Sequence, residues 1–370
     1  MSVADLDDPR VWPAAAPAPA PFDAAERAIA ADTQVEADAA DLRVRQWLLD
    51  AVTRNEGDRL SRTLAHAPSP ALARHVRRLL ADVEREVTLP RDALGTALFA
   101  LPVIVVAAQN VAAPAIMLDA VLSDVAAMEA ILRDARAFGG CETFALASSL
   151  VASDAIDLGR LPALLARAAL RDGAFAREAV DLPPAPLRID DTQERVHLRF
   201  LPGAVLTPPG VDPLAADAIG RFGIPLSHAL ARALAFADVT LLALPRPAQR
   251  LVVAVQAGRA AQREVSAQLF ASNAIRRLRG SFGEPTAIVS AHRAAHAEGG
   301  GELRLSLSSP FAPKAAEGFG CPVHPYETVQ EVAAMLEALL RDCRVSDVRI
   351  VRGVHDDIDP ITGGPLFFKS

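Results

Sequence analysis

Residues 93–118 contain no charged side chain, and no other property of this chain limits its fold as strongly. The run reaches the ~20 residues that a membrane-spanning helix needs. Its details argue against a span. Pro102 and Pro114 interrupt it, and Gln109-Asn110 would each need an amide partner inside hydrocarbon. Arg91 and Asp92 flank it on one side and Asp119 on the other, a weak topology signal. The run reads instead as a buried strand over 98–107 leading into a loop, and no membrane partner is expected.

With that stretch taken as core, the rest of the chain can be divided. Residues 1–21 carry Pro9, Pro13, Pro17, Pro19 and Pro21 among alanines, and residues 1–35 read as a disordered acidic tail. The tail also explains the net charge of −7. Residues 1–42 hold nine acids and two bases, and removing these from the totals of 45 and 38 leaves 36 of each. A neutral body with 5% aromatic residues excludes a nucleic-acid binder. Three scattered cysteines make no disulfide framework, and the acidic amino terminus lacks the pattern of a signal peptide. Both point to the cytoplasm.

Residues 36–90 read as a helical hairpin. Val44, Trp47, Leu48 and Val52 share one helical face, and Ser69-Pro70 starts a second helix carrying Leu72, Val76, Leu79, Leu80, Val83 and Val87. After Pro90 the pattern becomes strands alternating with helices. Strands are expected over 98–107, 141–146, 196–201, 239–244, 251–255, 286–290, 303–307, 348–351 and 365–368. Helices are expected over 124–136, 162–171, 213–219, 226–236, 259–279 and 329–344. The Pro-rich stretch at 181–186 divides this part into lobes at 91–185 and 186–370. The fold class is therefore α/β: a helical hairpin followed by two related α/β lobes with mixed sheet.

The lobes are read as related because one segment recurs. Asp124-Val-Ala-Ala-Met-Glu-Ala-Ile-Leu-Arg-Asp-Ala-Arg136 returns, with one insertion, as Glu331-Val-Ala-Ala-Met-Leu-Glu-Ala-Leu-Leu-Arg-Asp-Cys-Arg344. Each copy has an acid at the helix start and arginines at its end, an order that suits the helix dipole. A looser copy runs from Glu264 to Arg279. A seam between duplicated lobes is a common ligand site.

Chemistry is harder to find. His292 and His296, spaced i, i+4 and followed by Glu298, could hold a metal if that segment were helical, although it lies between strands. His355, Asp356 and Asp357, with Asp359 nearby, gather an imidazole and carboxylates at a strand end and form the candidate ligand site. Cys321 and His324 have half of a zinc-site spacing, and Thr328-Val-Gln-Glu331 is a capping box. Ser148-Ser149 are possible ligand contacts, while Arg276, Arg277 and Arg279 read as a solvated helix end. No phosphate-cradling loop and no Gly-x-Ser-x-Gly elbow occurs, so no cofactor is expected.

The helical pair, the apolar Leu101-Pro-Val-Ile-Val-Val-Ala-Ala108 and the closing Leu339-Leu-Arg-Asp-Cys-Arg-Val-Ser-Asp-Val-Arg-Ile-Val351 with Gly363-Gly-Pro-Leu-Phe367 carry a resemblance. From about residue 36 onward the chain resembles a bacterial family of uncharacterised cytosolic proteins. Asp359 and Thr362 stand where cysteines are expected in several relatives. The resemblance implies a cytosolic α/β protein and no activity. The functional expectation is thus a non-catalytic module that binds a protein partner or a second copy of itself. The alternative is a small-molecule-binding protein or metal-dependent enzyme with its site at the lobe interface.

Overall fold

The computed structural model describes residues 21–88, 95–107, 116–169, 180–189, 196–209, 211–214, 218–234, 241–293, 301–355 and 367–368. Four helices come first: α1 (Phe22–Ile29), α2 (Gln34–Thr53), α3 (Gly57–Ala65) and α4 (Pro70–Thr88). Then follow β1 (Gly95–Ala107), β2 (Ile116–Leu118), α5 (Val125–Asp134), β3 (Phe144–Leu146), α6 (Leu161–Ala169), β4 (Leu187–Ile189) and β5 (Val196–Thr207). The second half holds α7 (Ile219–Ala233), β6 (Leu241–Pro245), β7 (Gln249–Arg250), α8 (Leu251–Phe282), β8 (Thr286–Arg293), β9 (Gly301–Ser309), β10 (Ala312–Val323), α9 (Val329–Asp342) and β11 (Asp347–His355). Helices and sheets are mixed as the α/β reading requires. No described helix is long and apolar enough to cross a membrane.

The chain forms two compact units. The larger takes Arg27–Arg62 and Val76–Gln262; the smaller takes Met1–Glu26, Thr63–His75 and Arg263–Ser370. The boundary expected near residue 185 is not a unit boundary, because strand pairing crosses it. In the larger unit β1 pairs with β5 from Gly95↔Thr207 to Val106↔Val196, so segments on either side of that break share one sheet. The Pro-rich stretch is a loop within the unit, held by Arg199, which donates to the carbonyls of Ala185 (2.9 Å) and Pro186 (2.8 Å).

That sheet has the order β3-β5-β1-β6, with β7 also on β1, and all of its pairs are antiparallel. The uncharged run supplies its centre. β1 is buried on both faces along most of its length, which is why its sequence is apolar throughout rather than alternating. Pro102 falls between the residues paired to β7 and those paired to β6, where the ladder is interrupted. Phe99, Leu101, Val103 and Val105 form the core of this unit with Met128 and Leu132 of α5 and Phe222, Leu226 and Leu230 of α7.

The helical region differs from a simple hairpin. Residues 22–29, assigned by sequence to the tail, are helical, with Phe22 and Ala25 fully buried. The faces of α2 and α4 follow the expected pattern: Val44, Leu48, Val52, Val76, Leu79, Leu80 and Val83 are buried. Thr33 caps α2, and Ser69 accepts from the Leu72 N–H at the start of α4.

The stretch 251–255, expected as a strand, is the first turn and more of α8. A short apolar run fits either element, and here Glu84 decides. Its carboxylate is buried and accepts from the Val252 N–H at 3.4 Å, occupying the positive end of α8. Arg250 lies beside Glu84 and is itself held by Asp212 (2.8 Å), which also meets Arg85 (3.3 Å). Burial pushes the Glu84 carboxyl up to about 7, against the opposing pull of Arg250 and the backbone N–H groups.

The smaller unit is built on the sheet β10-β9-β8-β11, antiparallel except for the parallel β8–β11 pair. Ala287, Val289 and Ala291 of β8 and Leu303, Leu305 and Leu307 of β9 pack with Ala267, Ala271 and Ala274 of α8 and with Val332, Leu336 and Leu340 of α9. Thr328 and Glu331 form the capping box expected at the start of α9. β10 had no counterpart in the expected strands. The strand expected over 365–368 lies partly outside the described residues, and Phe367 and Phe368 are in no strand.

Candidate functional site

A strand with one face in a core presents its alternate residues to the other side. With the odd-numbered residues of β8 and β9 in the core of the smaller unit, the even-numbered ones form the second face of this sheet. Apart from Ile288 they are polar. β8 contributes Ser290 and His292, and β9 contributes Glu302, Arg304 and Ser306. The register places them in rows: Ser290 opposite Arg304, and His292 between Glu302 and His355 of β11.

Four of these side chains are buried, and Glu302 and His355 are half-buried. Ser290 and His292 are 0% exposed, Ser306 1% and Arg304 3%. Ser290 Oγ lies 2.8 Å from His292 Nε2, a hydrogen bond between hydroxyl and imidazole. The His292 and His355 rings are 5.6 Å apart, and Arg304 Nε is 3.6 Å from Glu302. Two aromatic rings lie on this face. Phe367 sits 5.4 Å from the Arg304 guanidinium, and Phe368 meets the His355 ring edge-on at 4.7 Å. Gly318 and Gly320 of β10 make room. A Cβ on Gly318 would come within 2.5 Å of the Phe367 ring, and one on Gly320 within reach of the Glu302 carboxylate.

Two atoms of the cluster stand out. Ser306 Oγ and His355 Nε2 are buried and have no hydrogen-bond partner among the described residues. A buried polar group without a partner costs about 1–3 kcal/mol, and native structures carry few of them. The arrangement offers a guanidinium, hydroxyls and imidazoles on one rigid surface, a set able to hold a polar or anionic group.

The structure thus joins two motifs that the sequence kept apart, since His292 and His355 are paired neighbours. Asp356, Asp357, His296 and Glu298 lie outside the described residues. His292 is on a strand, so the helical spacing that suggested a metal does not apply to it. Among the described residues, no group of three potential metal ligands converges. Cys321 points into the core of the smaller unit, where burial pushes its thiol up to about 12. Ser148 and Ser149 bind Asp181 and the Leu182 carbonyl, a loop-holding role. Arg276, Arg277 and Arg279 pair with Asn273, Glu317 and Glu284. Arg304 and Ser306 were missed because they sit in Leu303-Arg-Leu-Ser-Leu307, whose alternation reads as an ordinary half-exposed strand.

No protein-family model, curated protein or solved structure matches this chain.

Proposed function

We propose that this chain is a small-molecule-binding protein whose ligand contacts the polar face of the β10-β9-β8-β11 sheet. The observation that carries this reading is the pair of buried, unpartnered atoms, Ser306 Oγ and His355 Nε2, beside buried Arg304 and the Ser290–His292 hydrogen bond. Ser306 pairs with Ile288 and His355 with His292, four residues apart along β8, so separate polar groups of one ligand would satisfy them and recover their desolvation cost. The association reading has less behind it. Phe311 is 86% exposed between β9 and β10, but a single exposed apolar side chain is ordinary surface. The unpaired thiols of Cys141, Cys321 and Cys343 support a reducing, cytoplasmic setting.

We also read α5 and α9 as copies of one unit. Both end on an arginine at positive φ, Arg136 (50°) and Arg344 (61°). In both, the next residue's N–H bonds back to the carbonyl five positions earlier: Ala137 to Leu132, and Val345 to Leu340.

A thermal-shift screen of the full chain against a metabolite panel tests the ligand reading, because a ligand that binds only the native state raises Tm. The expected result is a hit whose shift disappears in Ser306→Ala/His355→Ala. A hit whose shift is unchanged in that variant would move the site elsewhere.

A further inference from the structure

The larger unit contains a cavity of about 390 Å³ at the carboxyl end of α5. Arg133 and Arg136 line it from α5 and the turn that follows, and Arg221 lines it from α7. Leu132, Phe138 and Phe144 supply a buried apolar wall. Arg133 is held against that wall, 5.3 Å over the Phe144 ring. The next residue in α7, Phe222, is buried in the same core as Leu132.

Two of these arginines have a structural explanation and the third does not. Arg133 and Arg136 sit at the negative end of α5, where cations are favoured. Arg221 sits in the first turn of α7, the positive end. That turn has no acidic residue, and the N-cap Ala218 offers no side-chain acceptor. No ion pair ties Arg133, Arg136 or Arg221 to a carboxylate among the described residues, and Glu142 is the one acid lining the cavity. Three guanidiniums and a helix N-terminus around one cavity make a positive surface to which an anion is attracted. Guanidinium forks match the paired oxygens of carboxylate and phosphate.

We propose that this cavity binds the carboxylate or phosphate group of a small organic anion, whose apolar portion lies along Phe144. The site is separate from the polar sheet face and does not depend on it.

Isothermal titration calorimetry of the full chain with inorganic phosphate, pyrophosphate and citrate at low salt tests this. At least one anion is expected to bind, and the preferred one identifies the group as phosphate or carboxylate. Arg221→Gln should weaken binding about tenfold, and Arg136→Gln/Arg221→Gln by more, since a charge-assisted hydrogen bond supports a change of that order. These side chains are exposed, so both variants should keep the wild-type Tm. Glu142→Gln should tighten binding severalfold, a gain that a merely structural role would not give. The proposal is overturned if none of the three anions binds, or if Arg136→Gln/Arg221→Gln binds as the wild type does.

Discussion

Arg263 holds both carboxylate oxygens of Glu327, at 2.5 and 2.7 Å, with the two side chains only 8% and 12% exposed. Glu327 also accepts from the His324 N–H, so the pair anchors the turn between β10 and α9. Burial works against the Arg263 charge, but the bonds to Glu327 overcome it and its pKa lies above the ordinary value. Removing one partner of a buried pair leaves the other charge uncompensated, at about 3–5 kcal/mol. Arg263→Ala should therefore lower the unfolding free energy by about 3 kcal/mol in urea denaturation. A loss within the range of a surface substitution would show that the pair is not buried in solution.

Glu84 makes the stability of the fold depend on pH. Its folded pKa of about 7 lies above the ordinary 4.5, so the folded state holds the proton more tightly. The resulting stability is complete below about pH 4.5 and is lost as pH rises to about 7, in total roughly 3 kcal/mol. Glu84→Gln cannot ionise and should flatten this part of the curve. Urea midpoints at about pH 5 and about pH 8 measure the effect, and an equal pH response in both proteins would contradict it.

Gly57, the first residue of α3, approaches another stretch of backbone too closely for a side chain. A Cβ there would lie 1.7 Å from the Gly159 carbonyl oxygen. Backbone cannot swing aside as a long side chain can, so Gly57→Ala should cost about 2 kcal/mol or more. A thermal melt of the variant reads this directly, and an unchanged Tm would refute it.

The Thr328–Glu331 capping box predicts a smaller loss. Thr328→Ala removes the acceptor for the Glu331 N–H, bonded at 3.1 Å, and should cost about 1 kcal/mol. Thr328→Ser should restore most of it, as judged by denaturant midpoint.

Local signals in this chain were readable where one physical cause dominated. The stripes of α2 and α4, the capping box of α9 and the burial of β1 each follow from spacing or from absence of charge. Elements set by distant partners were not readable. The first turn of α8 is stabilised by Glu84, 168 positions earlier, and no local pattern distinguishes it from a strand. β10 escaped notice because its glycines and charges, Lys314 and Glu317 to Gly320, lack strand character; pairing with β9 supplies it. The candidate sites follow the same rule. His292 and His355 were singled out for separate reasons and meet only through β8–β11 pairing. Arg221 gave no signal, because its significance lies in α5 packing against α7.

The pairing of β1 also governs how this protein is made. Gly95 must wait for Thr207, 112 positions later, before the ladder between them can close. While a ribosome adds those residues, an uncharged strand is exposed with its edges unpaired. Such a segment invites intermolecular association, and long-range pairing is slow. The vulnerable moment for this chain comes during synthesis, when demand for a chaperone should be greatest between emergence of β1 and arrival of β5.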